Sequence, residues 1–167
     1  MSIGFSTAME TWGMQQFDPN LAAEDIADNL LYRTGLALSH GQLDDVPDCF
    51  ILPQSMETLE GVRIVREPED VRQVFASVRR YFEQNGIKDV ARAVVEAEFL
   101  SGDVIQSTHA SRLLKQDGTT VRAPYPVLSR IKRCDDGQWR IASSTYAIID
   151  SREHNEALLT WHSKDRS

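Results

Sequence analysis

The spacing of apolar residues changes period partway along this chain. Over "DPNLAAEDIADNLLYRTGLALSHG", Ala23, Ile26, Ala27, Leu30, Ala37 and Leu38 recur every three or four residues. That period predicts an amphipathic helix with one buried stripe. Asp18 suits its N-cap, Pro19 its first helical position and Gly41 its left-handed stop. "EPEDVRQVFASVRRYFEQNG" predicts another helix, opened by Pro68 and closed by Gly86, with Val71, Val74, Phe75, Val78 and Phe82 as its buried face. Between the two, "QLDDVPDCF" is a short helix or turn, and "ILPQSMETLEGVRIVRE" reads as two short strands around Glu60-Gly61.

Beyond Gly86 the period shortens to two. "DVARAVVEAEFL", "VIQSTHASRLLKQ", "YPVLSRIKR" and "QWRIASSTYAII" read as strands, separated by Ser101-Gly102-Asp103, Asp117-Gly118 and Asp136-Gly137. Such pairs supply the positive backbone angles of tight hairpins, which predicts an antiparallel meander. "SREHNEALLTWH", with Leu158, Leu159 and Trp161, predicts a short closing helix. The order α-α-β-β-α-β-β-β-β-α is that of an α+β protein: a strongly curved antiparallel sheet wrapped around helices, a cone-shaped α+β barrel. The interior of such a cone is a natural place for an apolar pocket. Three segments are expected: an N-terminal arm over 1–17, one α+β barrel domain over 18–151, and a C-terminal helix and tail over 152–167. The arm carries Phe5, Met9, Trp12, Met14 and Phe17, too apolar for a typical disordered tail.

Composition narrows the function. The chain has 167 residues, 41% hydrophobic and 26% charged, with a net charge of -7 from 18 basic and 25 acidic residues. That balance argues against nucleic-acid binding, which needs a basic surface. No apolar run is long enough to span a bilayer, and no basic residue precedes an apolar block at the start, so no membrane and a cytoplasmic location are expected. Cys49 and Cys134 have no metal-like spacing and suit free thiols in a reducing compartment. His40, His109, His154 and His162 show neither HExxH nor Cys/His spacing, so no metal and no cofactor are expected.

The element order, "HGQLDDVPDCF" after the first helix, Gly61 before the third, and the ending "DDGQWRI" together resemble the nuclear transport factor 2-like superfamily, in its SnoaL-like bacterial branch. The resemblance covers roughly residues 20 to 150. It implies the cone fold, but that fold hosts isomerases, dehydratases, epoxide hydrolases, cyclases, oxygenase small subunits and transport adaptors. The resemblance also implies where catalytic groups would fall. The carboxylate base of the ketosteroid isomerases falls near Thr58, their oxyanion-binding acid on Ser129, and their first-helix tyrosine at or next to Arg33. The paired histidines of the dehydratases have one counterpart in the sheet, His109. The Asp-Arg-Asp set of the epoxide hydrolases has Arg112 without aspartates facing the same way. Each enzyme set lacks an essential group.

Strand alternation selects the candidate pocket residues. In the last strand, Ala142, Ser144 and Tyr146 are expected inside, with Trp139 and Ile141 on the outer face. In "STHASRLL", Thr108, Ala110 and Arg112 are expected inside and His109 at a surface or interface; a one-residue slip would exchange the two sets. "YPVLS" places Tyr125, Val127 and Ser129 on one face. The predicted ligand-binding set is therefore Arg33, Phe82, Arg112, Tyr125, Val127, Ser129, Ser144 and Tyr146, with Val78 beside Phe82. An inward Arg112 implies an anionic ligand group. The expected role is a small-molecule-binding domain taking a small hydrophobic or anionic molecule. The alternatives are a cofactor-independent isomerase, dehydratase or cyclase acting on a hydrophobic carbonyl or polycyclic substrate, and an interaction module or oxygenase small subunit. A homodimer through the outer sheet face is expected from Trp139 and Ile141, with Phe5 and Trp12 extending the contact.

Overall fold

The computed structural model describes residues 19–160. The expectations for the arm over 1–17, the Asp18 cap and Trp161 lie outside the described residues. Helix α1 spans Pro19–His40. Its buried positions Ala23, Ala27, Leu30, Thr34 and Ala37 follow helical spacing. Small residues dominate that stripe, which permits a close approach of helix to sheet. Gly41, at φ +69°, ends the helix, and its N–H donates to the Ala37 carbonyl at 3.1 Å. A single 3₁₀ turn, Val46–Cys49, leads into strand β1, Phe50–Thr58, and then β2, Gly61–Val65. Helix α2 spans Pro68–Gln84 and buries Val71, Val74, Val78 and Phe82 along one face. The Glu67 N–H donates to Asp70 Oδ2 at 3.1 Å, closing its first turn.

Four strands follow: β3 Asp89–Ser101, β4 Val104–Leu114, β5 Tyr125–Arg133 and β6 Trp139–Tyr146. Helix α3, Arg152–Leu158, closes the described chain. Ser151 caps it by accepting the His154 N–H at 3.1 Å. Such a short helix is held by tertiary contacts: Ser77 Oγ donates to the Ala157 carbonyl at 2.8 Å, and Asn155 Nδ2 donates to the Ile148 carbonyl at 3.0 Å.

The strands form one curved, open sheet in the order β2-β1-β6-β5-β4-β3. The architecture is the expected α+β cone. The sheet is mixed, however, because β1 pairs parallel with β6 while every other pair is antiparallel. The last strand thus enters beside the first, and the helices cover the inner face.

Two register details correct the expected facing of side chains. In β4 the odd residues face inward: Ile105, Ser107, His109, Ser111 and Leu113 are buried, while Arg112 is exposed. The reason is cross-strand pairing. Ser111 opposes Tyr125, His109 opposes Val127 and Ser107 opposes Ser129. Directly opposed residues share a face, so an inward odd set in β5 requires an inward odd set in β4. In β6 the register shifts: Ile131 opposes Ile141, but Arg130 opposes Ser143. Ala142 is the extra residue of a bulge, which resets the alternation. Ile141 and Ser144 therefore both turn inward. Trp139 packs against the core from the same side, with its ring 5.8 Å from that of Phe99. The outer-face patch that motivated the homodimer is thus absent at Trp139 and Ile141.

Candidate functional site

Between α1, α2 and the concave face of the sheet lies a cavity of about 70 Å³. That is several times the ~10–15 Å³ that one water needs. Its helix side is apolar: Leu30 and Leu38 of α1, and Val71, Val74, Val78 and Phe82 of α2. Its sheet side is polar in rows set by register. One row runs Ser107, Ser129, Ser144 across β4, β5 and β6. The next runs His109, Val127, Tyr146, and a third runs Arg92, Ser111, Tyr125 from β3 to β5. Gln54 of β1 and His154 of α3 complete the polar lining.

Of the residues expected from sequence, Phe82, Val78, Tyr125, Ser129, Ser144 and Tyr146 line this cavity. Val127 is buried in the same sheet face but outside the lining. Arg112 lies on the outer face, for the reason of register given above. Arg33 is also elsewhere: it pairs with Asp48 at 3.3 Å, on the side of α1 turned to the 3₁₀ turn. One helical position onward, Thr34 is buried at the cavity. Polar lining groups outside the expected set include Gln54, Arg92 and His154, while His109, Ser107 and Ser111 are the set that the alternative register places inside. For Arg92 the available signal is alternation, since Val90, Arg92 and Val94 share one face. For Gln54 it is the alternation with Met56 and Thr58. His154 comes from a helix distant in sequence, and no local pattern marks it.

The polar groups divide by whether they have partners. Ser129 and Ser144 hydroxyls lie 3.3 Å apart. The Tyr125 phenol interacts with Ser111 and the Tyr146 phenol with Ser144, each holding the phenol's pKa down against burial. Arg92 Nη2 donates to the Leu31 carbonyl at 2.7 Å and to Thr34 Oγ1 at 2.8 Å. The His109 ring and the Gln54 amide have no hydrogen-bond partner among the described residues, although they are only 7% and 2% exposed. Buried polar groups ordinarily find partners, so two that face a void are poised to bond something within it.

Electrostatics keeps most of the lining uncharged. Burial, and then the nearby Arg92 guanidinium, pull His109 down to about 3. Burial, and then Arg122, pull His154 down to about 3. Arg122 Nη2 lies 3.3 Å from His154 Nδ1. A guanidinium only donates, so Nδ1 is the acceptor and the imidazole proton sits on Nε2. Burial, and then Tyr146, push the Tyr125 phenol well above its usual range; burial likewise raises Tyr146, against the opposing pull of Arg92. Among the described residues no carboxylate lines the cavity. Among the described residues no cluster of three or more His, Cys, Asp or Glu is placed to hold a metal, and no helix is long and apolar enough to cross a membrane.

This architecture is the nuclear transport factor 2-like fold. No family model and no curated protein matches the chain. Solved structures do match in shape. A domain of unknown function with a cystatin-like fold from Nostoc punctiforme aligns at TM-score 0.62 and 14% identity, over 87% of this chain and 90% of that one. A nuclear transport factor 2-like protein with a cystatin-like fold from Novosphingobium aromaticivorans aligns at TM-score 0.59 and 16% identity, over 83% and 90%. A ketosteroid isomerase-like protein from Erwinia carotovora aligns at TM-score 0.58 and 17% identity, over 80% and 98%. Identities this low establish a shared fold and leave the role to the site itself.

Proposed function

We propose that this protein binds a small, largely apolar molecule inside the cone. The observation that carries the proposal is the pair of buried, unpartnered polar groups, His109 and Gln54, facing a cavity whose helix side is apolar. A ligand group bonded there would recover the hydrogen bonds these side chains lack, each worth ~0.5–1.5 kcal/mol net. A module whose role was purely to dock other proteins would need no void behind its sheet, which places the interaction-module alternative below binding. The test is an NMR titration with benzyl alcohol, a neutral apolar probe. Shifts are expected at Gln54, His109 and Tyr125, and Ser129→Leu, which fills the cavity, should abolish them. Shifts confined to the outer surface, or undiminished by Ser129→Leu, would overturn the proposal.

A second reading, a cofactor-independent isomerase, dehydratase or cyclase, draws support from His109, His154, Tyr125 and Tyr146 lining one cavity. It ranks second because a histidine held near 3 is a weak base, whereas general bases work best near the operating pH. Its test is deuterium wash-in at the α-carbon of cyclohexanone. This reading requires exchange that is lost in His109→Gln, and exchange no faster than in buffer removes it.

A further inference from the structure

We infer that the ligand is a compact monoanionic apolar acid, with its anionic oxygens held by Arg92. This rests on the binding proposal above and adds the charge class of the ligand. Among the described residues that line the cavity, Arg92 is the one cation and none is acidic. Its two hydrogen bonds, both from Nη2, go to neutral acceptors, the Leu31 carbonyl and the Thr34 hydroxyl. A guanidinium carries five N–H donors, so the three on Nε and Nη1 remain. Among the described residues they have no hydrogen-bond acceptor and no ion-pair partner. Arg92 is half-buried, and a partly desolvated charge without a counter-charge carries a cost that a bound anion offsets.

The guanidinium is also aimed. A Cβ at Gly35 would come within 3.3 Å of Nη2, so the bare helix backbone there is where Arg92 docks against α1. From the sheet, Arg92 opposes Ser111, which in turn opposes Tyr125. The position therefore combines a planar, charge-bearing donor with neighbouring hydroxyls, a fit for carboxylate geometry. A single cation balances one negative charge, which favours a monoanion over a phosphate dianion. The α2 side of the cavity, with Val78 and Phe82, requires the rest of the ligand to be apolar, and the cavity volume requires it to be compact. Arg92 also borders a surface groove between α1 and β3 whose walls include Tyr32 and Asp28. Asp28 makes no ion pair with Arg92, so the cation stays available from that side as well.

The experiment compares benzoate with benzamide and hexanoate with hexanamide, each titrated into the full chain by calorimetry. The acids are expected to bind about tenfold to a hundredfold more tightly than their amides, the range of a charge-assisted bond. Arg92→Met should bring acid and amide to parity by weakening the acid much more than the amide. Arg92→Lys should keep part of the preference. Equal affinity of acids and amides for the unaltered protein would overturn the inference and leave the binding proposal intact. Binding of neither class would overturn both. The parent comparison needs no variant, so it decides the matter even if Arg92→Met fails to fold.

Discussion

At the residue scale, the histidines carry the clearest pH signature. His109 and His154 have folded-state values near 3, below the ordinary ~6.5 of an unfolded imidazole. Above about pH 6.5 both states are neutral and contribute no slope. Below it the unfolded chain takes up protons that the native state refuses, so stability falls with falling pH. Each histidine contributes about 1.4 kcal/mol per pH unit through that window, about 2.7 for the pair. Urea unfolding between pH 7.5 and 5.5, above the main carboxylate range, should show this loss. His109→Gln should remove about half of the slope; an unchanged slope would mean that the ring is accessible to protons in the native state. Arg112 makes the opposite prediction. Exposed on the outer face, it should tolerate Arg112→Met with a stability change within about 0.5 kcal/mol and no effect on ligand affinity.

At the element scale, β4 and β6 show how strand pairing and bulges assign faces. In β4 the inward set couples apolar Ile105 and Leu113 with Ser107, His109 and Ser111. Ile105 is fully buried, so Ile105→Ala should cost about 2–5 kcal/mol in chemical denaturation. A loss well below that range would mean the strand slips or the site collapses around the gap. The alternative facing would bury Gln106 and Arg112 and expose Ile105 and Leu113, which the balance of transfer energies opposes. The bulge at Ala142 then brings Ile141 and Ser144 to the same face. Without it, one of the two would point to solvent.

At the scale of the whole molecule, the cone couples binding to stability. The apolar cluster around Val71, Val74, Val78 and Phe82 is continuous with α3 through Ala157 and Leu158, so the cavity wall is also part of the core. Ligand binding should therefore raise global stability rather than order one loop. At a ligand concentration of about 100 times Kd, one native-state site adds about 2.7 kcal/mol. For a domain of this size that is a rise in Tm of about 5–10 °C. Thermal melts with hexanoate should show that rise in the parent and lose most of it in Ser129→Leu. A shift that survives the filled cavity would place the ligand elsewhere.

The sequence by itself determined the elements and the class of the fold. Helical spacing in Val71–Phe82, the Gly41 and Gly86 stops, and the aspartate-glycine turns are local features, written in residues that act within a few positions of one another. It also determined which residues share a face within an unbroken strand, which is why Tyr125 and Ser129 could be paired and why Arg112 and His109 could be known never to face inward together. Tertiary structure decided which of two opposite faces is inside. A period of two alone has no inside; the choice comes from the transfer energies of the two faces together with the strand opposite and with bulges, which shift alternation without leaving a local mark. It also decided the parallel pairing of β1 with β6, and the arrival of His154 from α3 and Arg92 from β3 at one cavity. Those meetings depend on contacts far apart in sequence, where burial and cross-strand pairing, not local spacing, set the free energy.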